Sequence, residues 1–206
     1  MTTKIEIVTG KDCAEYVDIV SQFRIEAFRE YPYLYEGKIE YEKKYLLGYM
    51  ADTQGMIAVA KVDGVLAGIS TGIPLNGNSE IVADAKKIFR LKNIDISDYY
   101  YYGEIIVKPE FRRRSLAKML YAAQDNLIIK WRFKHASILT IMRDKNHFLK
   151  PADYQSPDKM WEHLGFTRNQ LKIDYSWPTI QADHTVKNIS NTLEFWTKPL
   201  VKKIVD

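Results

Sequence analysis

The chain has 206 residues, of which 46% are hydrophobic and 27% charged, with a formal net charge of +4 and one cysteine. These values are typical of a globular domain, and the single cysteine excludes a disulfide framework or a cysteine-based zinc ribbon. The first residues lack the apolar core of a signal peptide, and no stretch approaches the roughly 18 apolar residues of a membrane span. We therefore expect one domain over residues 1–206, located in the cytoplasm and without a membrane partner.

Hydrophobic periodicity predicts alternating strands and helices along the whole chain. Asp12 and Glu15 form a capping-box-like pair at the first helix, and Asp63-Gly64 is a strong hairpin signal. Ser79 and Ser156 are predicted N-caps, and Gly165 a left-handed C-cap. In chain order the predicted elements are a strand over 4–8, helices from 12 to before 31 and over 40–50, strands over 56–62 and 65–73, a helix over 79–90, a strand over 99–107, a helix over 114–133, a strand over 137–142, a short helix from 156, and strands over 171–177 and 193–197. This order predicts a mixed α/β (α+β) fold.

The densest functional pattern lies where strand 99–107 runs into the long helix. Arg112, Arg113 and Arg114 sit at the helix start, with Lys118 one turn later. Each cation there disfavours the helix by roughly 0.3–1 kcal/mol, because the N-terminal end of the helix dipole is positive. A bound phosphate or pyrophosphate would reverse that penalty. The alternative is a solvated basic turn offset in part by Glu110.

Residues 107–120 resemble the acyl-coenzyme A signature of the GNAT superfamily of N-acetyltransferases. That signature is a strand ending in Val-x-Pro-Glu-Tyr/Phe, followed by Arg-x-x-Gly-x-Gly/Ala at the start of a long helix. Arg112 and Ala117 match it, whereas Ser115 stands at the usual glycine. Residues 161–166, Trp-Glu-His-Leu-Gly-Phe, are similar to the family's Tyr-Glu-Lys-x-Gly-Phe, and residues 193–196 resemble a common closing strand. The resemblance implies one mostly antiparallel, twisted sheet flanked by helices, with a small helical insertion at 79–90.

The resemblance also implies a coenzyme A site. Backbone amides from Arg112 to Ala117 would hold the pyrophosphate, and the backbone of Ile105 and Val107 would pair with the pantetheine arm. The thioester would lie where strand 99–107 splays from strand 137–142. The predicted cofactor-binding residues are Ile105, Val107, Arg112, Arg113, Arg114, Ser115, Leu116, Ala117 and Lys118.

Acyl transfer to an amine needs a base for the amine and an acid for the departing thiolate. Glu104 is the predicted base, as a lone carboxylate in an apolar strand whose burial would raise its pKa. The alternatives are an ion pair with an arginine, a role only in binding the amine, or a base placed at Tyr101 or Tyr102. Trp161 occupies the position of the family's acid tyrosine, and indole cannot supply a proton. Tyr154 is the predicted substitute, unless the thiolate leaves without a protein acid.

The acceptor side is predicted from the aromatic loop after the first helix. Tyr33, Tyr35 and Glu36 would contact a cationic small-molecule or peptide amine through ring faces and charge. The alternative is that the two tyrosines cover the core. A strand shared from residue 193 onward would allow a homodimer.

Two other function classes remain open from the residues. Ser115 and Trp161 depart from the family pattern and would suit a non-catalytic acyl-CoA-binding or regulatory module. The basic residues at 112–118, with Lys86, Lys87, Arg90 and Lys92, would suit a nucleic acid, although no nucleic-acid motif accompanies them. Cys13 is expected to have a packing or surface role, and the four histidines lack metal-ligand spacing, so no metal is expected.

Overall fold

The structure, a computed structural model, describes residues 1–77 and 80–200. Its strands are β1 (Thr3–Thr9), β2 (Met56–Val62), β3 (Val65–Pro74), β4 (Tyr99–Val107), β5 (His135–Ile141), β6 (Thr167–Ile180) and β7 (Val186–Pro199). Its α-helices are α1 (Val17–Arg29), α2 (Ile39–Ala51), α3 (Glu80–Leu91), α4 (Leu116–Lys130) and α5 (Asp158–His163).

The seven strands form one sheet in the order β1-β2-β3-β4-β5-β7-β6. Every neighbouring pair is antiparallel except β4 and β5, which are parallel. That parallel pairing covers only Tyr99–Tyr101 against His135–Ser137, and the two strands then separate. The predicted mixed, mostly antiparallel sheet is confirmed, and the splay gives it a gap at its centre.

Helices cover both faces of the sheet. The first apolar core packs α1, α2 and α3 on one face, with Tyr101 of β4 reaching into it. The other face carries α4 and α5, packed against Tyr100 and Tyr102. Successive side chains of a strand point to opposite faces, which is why consecutive tyrosines can serve two cores. Of the described helices, none is both long and apolar enough to cross a membrane.

Several predicted boundaries are corrected. Asp12 does not begin an α-helix, because a 3-10 turn over Gly10–Tyr16 comes first and α1 starts at Val17. The helix predicted from Arg114 begins only at Leu116, since Ser115 has a left-handed backbone with φ of 60°. The predicted cap Ser79 lies outside the described residues.

Strands β6 and β7 are each 14 residues long, two and nearly three times the lengths predicted over 171–177 and 193–197. The outer half of β7 is exposed and polar, so it carries no alternation to recognise. The predicted hairpin turn is confirmed, because Asp63 and Gly64 both have positive φ, 46° and 82°. Gly165, with φ of 86°, also adopts the left-handed backbone predicted for it.

Candidate active site

Two cavities open beside the splay of β4 and β5 and meet at one carboxylate. The smaller has a volume of about 320 Å³ and lies on the α1–α2 side. The larger, of about 1160 Å³, runs along β4 to the start of α4. Both cavities are lined by Phe28, Tyr33, Gly103, Glu104 and Leu139. A group held in one cavity can therefore reach a group held in the other at Glu104.

A β-bulge in β4 places this carboxylate. Ser70 of β3 pairs with Ile105 and Gly72 pairs with Tyr102, so two residues of β4, Gly103 and Glu104, oppose the single Thr71 of β3. The extra residue reverses the alternation, and Ile105 packs on the α4 face as Tyr102 does. Glu104 consequently turns to the opposite face, towards α1.

Gly103 makes the bulge sterically possible. A Cβ atom at this position would lie 2.5 Å from Thr71 Oγ1 and 2.5 Å from Tyr49 Oη. Real Cβ atoms do not approach other atoms so closely, and Tyr49 is fully buried in α2 with no room to retreat. Glycine is therefore required where β4 passes Tyr49.

A buried ion network holds Glu104. Arg24 of α1 donates from Nη1 to Glu104 Oε2 at 2.5 Å and from Nε to Glu42 Oε2 at 2.5 Å. The second oxygen of Glu42 accepts from the Tyr35 hydroxyl at 2.6 Å, and the Arg24 guanidinium lies 4.1 Å from the centroid of the Tyr45 ring. Glu104 Oε1 is buried without a hydrogen-bond partner among the described residues. One oxygen of Glu104 is thus bound to Arg24, and the other is buried without a partner on a residue that lines both cavities.

The network changes the acidity of Glu104. Burial is the largest effect and raises its pKa, whereas Arg24 and the neighbouring Thr71 hydroxyl lower it. Arg24 shares its single positive charge with Glu42, whose negative charge raises the pKa of Glu104 further. The pKa of Glu104 is therefore raised although an arginine touches it, as predicted for a candidate base. The structure also contains an ion pair between Glu104 and an arginine, which was the alternative interpretation.

Arg24 and Glu42 were not predicted from the sequence, yet a pattern indicated them. Arg24 lies four residues from Val20 and from Phe28, in the apolar stripe of α1. Glu42 precedes Leu46 by four residues in the buried stripe of α2. A charge at core spacing indicates a buried partner, because an unpaired buried charge is costly.

The start of α4 presents free donors to the larger cavity. The first backbone hydrogen bond of the helix runs from Met119 N to Ser115 O at 3.0 Å. The backbone amides of residues 113–118 donate to no group in the described chain, and Ser115 forms no side-chain cap. The amide of Arg112 differs, because it donates to Pro109 O at 3.2 Å. Six consecutive free amides at a helix N-terminus are suited to an anion.

Exposed cations surround these amides. Arg112, Arg113 and Arg114 are exposed and form no ion pair within the described residues, with Glu110 or any other acid. No acidic side chain of the described residues therefore neutralises these arginines, as the alternative of a basic turn offset by Glu110 would require.

The edge of β4 that faces β5 is also open. Lys108 N donates to Ala67 O of β3 at 2.9 Å, so the backbone of Val107, and of Ile105 two residues earlier, faces the splay instead. Val107 O accepts from Arg112 Nε at 3.1 Å. This edge has the polar groups that an extended ligand would need.

Two of the five tyrosines that line the larger cavity, Tyr154 and Tyr121, are candidates for the acid. Tyr154 is half-buried and stands edge-on to Tyr31, with ring centroids 4.7 Å apart. Burial is the main cause that raises its pKa. Tyr121 of α4, which the sequence analysis missed, is buried between Tyr102 and Phe166. Burial raises its pKa as well.

The predicted acceptor residues all line the smaller cavity. Tyr35 belongs to the core and donates to Glu42, so it covers the core as well as forming the wall. Tyr33 packs against Phe28 at 4.6 Å and borders both cavities. Glu36 is paired with Arg29. The loop therefore both lines a cavity and covers the core, and its contact with an acceptor remains a prediction.

The remaining candidate residues from the sequence do not form a second site. The basic residues of α3 belong to a helix packed on the α1–α2 face, beside Tyr99, whereas the arginines at 112–114 follow the opposite end of β4. They do not form one basic surface. Cys13 is buried, and burial raises the pKa of its thiol to about 11. No group of three or more His, Cys, Asp or Glu in the described residues is arranged to hold a metal ion.

Solved structures with this fold are numerous. An N-acetyltransferase from Staphylococcus aureus Mu50 superposes with a TM-score of 0.59 at 12% identity, covering 98% of this chain and 100% of that one. The ribosomal-protein-S18-alanine N-acetyltransferase from Escherichia coli gives 0.56 at 12%, covering 100% and 99%. A PaiA N-acetyltransferase from Thermoplasma acidophilum in complex with coenzyme A gives 0.53 at 12%, covering 97% and 99%. No curated protein matches the chain.

At these identities the superpositions show the fold alone, and a sequence match shows the family. Residues 18–149, more than half of the chain, match the description "Acetyltransferase (GNAT) family". The match spans Arg24 of α1, the bulge with Glu104 and the start of α4, whereas the parts of the two cavity walls that come from residues 151–193 lie outside it. The chain therefore belongs to the GNAT family of acetyltransferases.

Proposed function

We propose that this protein transfers an acetyl group from acetyl-CoA to a primary amine, by direct attack within a ternary complex. The observation that carries the proposal is the single unpartnered carboxylate oxygen, Glu104 Oε1, which is buried on a residue that lines both cavities. A donor in one cavity and an acceptor in the other would meet there.

The larger cavity fits the donor. The free amides of residues 113–118, with Arg112, Arg113, Arg114 and Lys118 around them, would hold the pyrophosphate. Ser115 would serve in place of glycine because it already adopts the left-handed backbone. The open edge at Ile105 and Val107 would pair with the extended arm, and Leu116 and Ala117 line the same wall.

The chemistry needs two proton movements. As the amine nitrogen forms a bond to the thioester carbonyl carbon, Glu104 Oε1 would accept a proton from the nitrogen. When the carbon–sulfur bond breaks, the thiolate would take a proton from Tyr154. Tyr121 is less suited to this role, because its ring is held between those of Tyr102 and Phe166.

Thiol release in the presence of acetyl-CoA and an amine panel tests the proposal, together with coenzyme A affinity by calorimetry. We expect Glu104→Gln to lower kcat/KM by about 100-fold or more and to retain coenzyme A affinity. Glu42→Gln is the matched control, because it removes a carboxylate from the same arginine without reaching either cavity. Its loss should be clearly smaller. Tyr154→Phe should cost about 10-fold or more in kcat, and Tyr121→Phe less.

Two outcomes would contradict the proposal. Tight coenzyme A binding without turnover of any amine would favour a non-catalytic acyl-CoA-binding module of the same fold. Absence of coenzyme A binding would exclude both functions.

A further inference from the structure

The wall of the smaller cavity is largely aromatic. Eight of its 17 lining residues carry aromatic rings, among them Tyr45, Tyr101 and Trp177. Leu139 and Leu193 add aliphatic surface. Such a wall favours a flat, apolar body, because burial of apolar surface and ring contacts both stabilise it.

The carboxylates that line this cavity, Glu36 and Glu104, together with Glu42 behind its wall, leave one oxygen without a partner. Glu36 is tied to Arg29 through both of its oxygens. Glu42 uses one oxygen for Arg24 and the other for Tyr35. Only Glu104 Oε1 lacks a partner among the described residues. A ligand with one amino group can be satisfied there, whereas a second buried ammonium would meet no free carboxylate and would be costly.

The loop that follows α1 is sealed against β6. Ile180 N donates to Leu34 O at 2.8 Å, Glu36 N donates to Pro178 O at 2.9 Å, and Trp177 Nε1 donates to Tyr33 O at 3.1 Å. A peptide running between the loop and β6 would have to break these bonds. The cavity of about 320 Å³ is near the lower limit of small-molecule pockets.

We infer that the acceptor is a small monoamine with an apolar, aromatic body and no second charged group. This inference rests on the proposed acyl transfer and names the class of its acceptor. The amino group would lie at Glu104 Oε1 and the body against the rings of the smaller cavity. A carboxylate on the ligand would gain little, since Arg24 is already paired with two acids and water would screen its attraction to the exposed Lys38, the other cation of the wall.

The experiment compares four amines: 2-phenylethylamine, phenylalanine, 1,4-diaminobutane and a short peptide with a free N-terminal alanine. The readouts are thiol release with acetyl-CoA and, independently of turnover, the dissociation constant of each amine for the coenzyme A-loaded protein. We expect 2-phenylethylamine to exceed each of the other three by about 30-fold or more in both readouts, because the others lose ring burial or bury an unpaired charge.

A gain-of-function variant tests the charge argument without disturbing the core. Ser176 is exposed and lines the cavity, so Ser176→Glu adds a second carboxylate to its wall. The preference for 2-phenylethylamine over 1,4-diaminobutane should fall by about 10-fold. Thr167→Glu is the matched control, because it adds the same charge to an exposed position of the same strand outside the cavity. Its preference should stay within about 2-fold of the parent.

The outcomes separate the two proposals. Equal or better turnover of the diamine, the peptide or phenylalanine would overturn the acceptor class and leave the transferase intact. Selective binding of 2-phenylethylamine without any thiol release would support the ligand class and remove the proposed function. No discrimination in either readout would overturn the inference.

Discussion

The two cavities that meet at Glu104 are built from different parts of the chain. The larger one offers backbone groups, namely the amides of residues 113–118 and the open edge at Ile105 and Val107. The smaller one offers side chains, several of them buried and held by Arg24. Backbone donors tolerate changes of side chain, whereas a wall of packed rings does not. The larger cavity can therefore keep its ligand contacts when side chains change, whereas the smaller cavity depends on which rings line it.

Removing Arg24 should break the smaller cavity and spare the larger one. Arg24→Met would leave two buried carboxylates without their cation, and we expect unfolding free energy to fall by about 3–5 kcal/mol. Denaturant unfolding measures this loss. Arg90→Met, which removes an exposed arginine of α3, should change stability by less than about 0.5 kcal/mol.

The coenzyme A affinity of Arg24→Met, measured under conditions where this variant is folded, tests whether the larger cavity is unaffected. We expect the affinity to stay within about 3-fold, because the free amides lie outside the Arg24 network. A stability loss below about 1 kcal/mol, or a collapse of coenzyme A binding, would show that the two cavities are not built independently.

The pH dependence of kcat/KM probes the junction itself. The pKa of Glu104 is raised above its ordinary value of 4.5, so its proton persists to higher pH. Because the base must be a carboxylate, kcat/KM should fall as the pH drops through that raised pKa. Measurements with two amines of different basicity distinguish titration of the enzyme from titration of the substrate. The pH at which kcat/KM falls is the same for both amines only if it reports a group of the enzyme. A fall in kcat/KM whose pH shifts with the pKa of the amine, or that persists in Glu104→Gln, would contradict the assignment of Glu104 as the base.

The smallest effect is expected at the start of α4. Ser115 is held at φ of 60°, where a side chain costs about 1 kcal/mol relative to glycine. Ser115→Gly should therefore raise unfolding free energy by about 0.5–1 kcal/mol and leave coenzyme A affinity within about 2-fold. Ser115→Ala, which keeps the strain, should bring no gain. A loss of affinity shared by both variants would instead give the hydroxyl a role in holding the anion.

Local patterns predicted much of the fold. The Asp63-Gly64 turn, the left-handed Gly165 and the basic start of α4 depend on residues adjacent in sequence, and the structure has them. The beginning of α1 and the lengths of β6 and β7 were predicted less well. Their limits depend on packing between distant segments and on polar strand ends that carry no periodicity.

The composition and the segment 104–118 by themselves determined a globular acyltransferase-like chain with one carboxylate beside an anion-binding helix start. Only the tertiary structure decided where that carboxylate points. Plain alternation would place Glu104 beside Tyr102 on the α4 face, and the bulge turns it to the face of Arg24. The bulge depends on Gly103 fitting between Thr71 of β3 and Tyr49 of α2. Those contacts join residues more than 30 positions apart, and no local pattern encodes them.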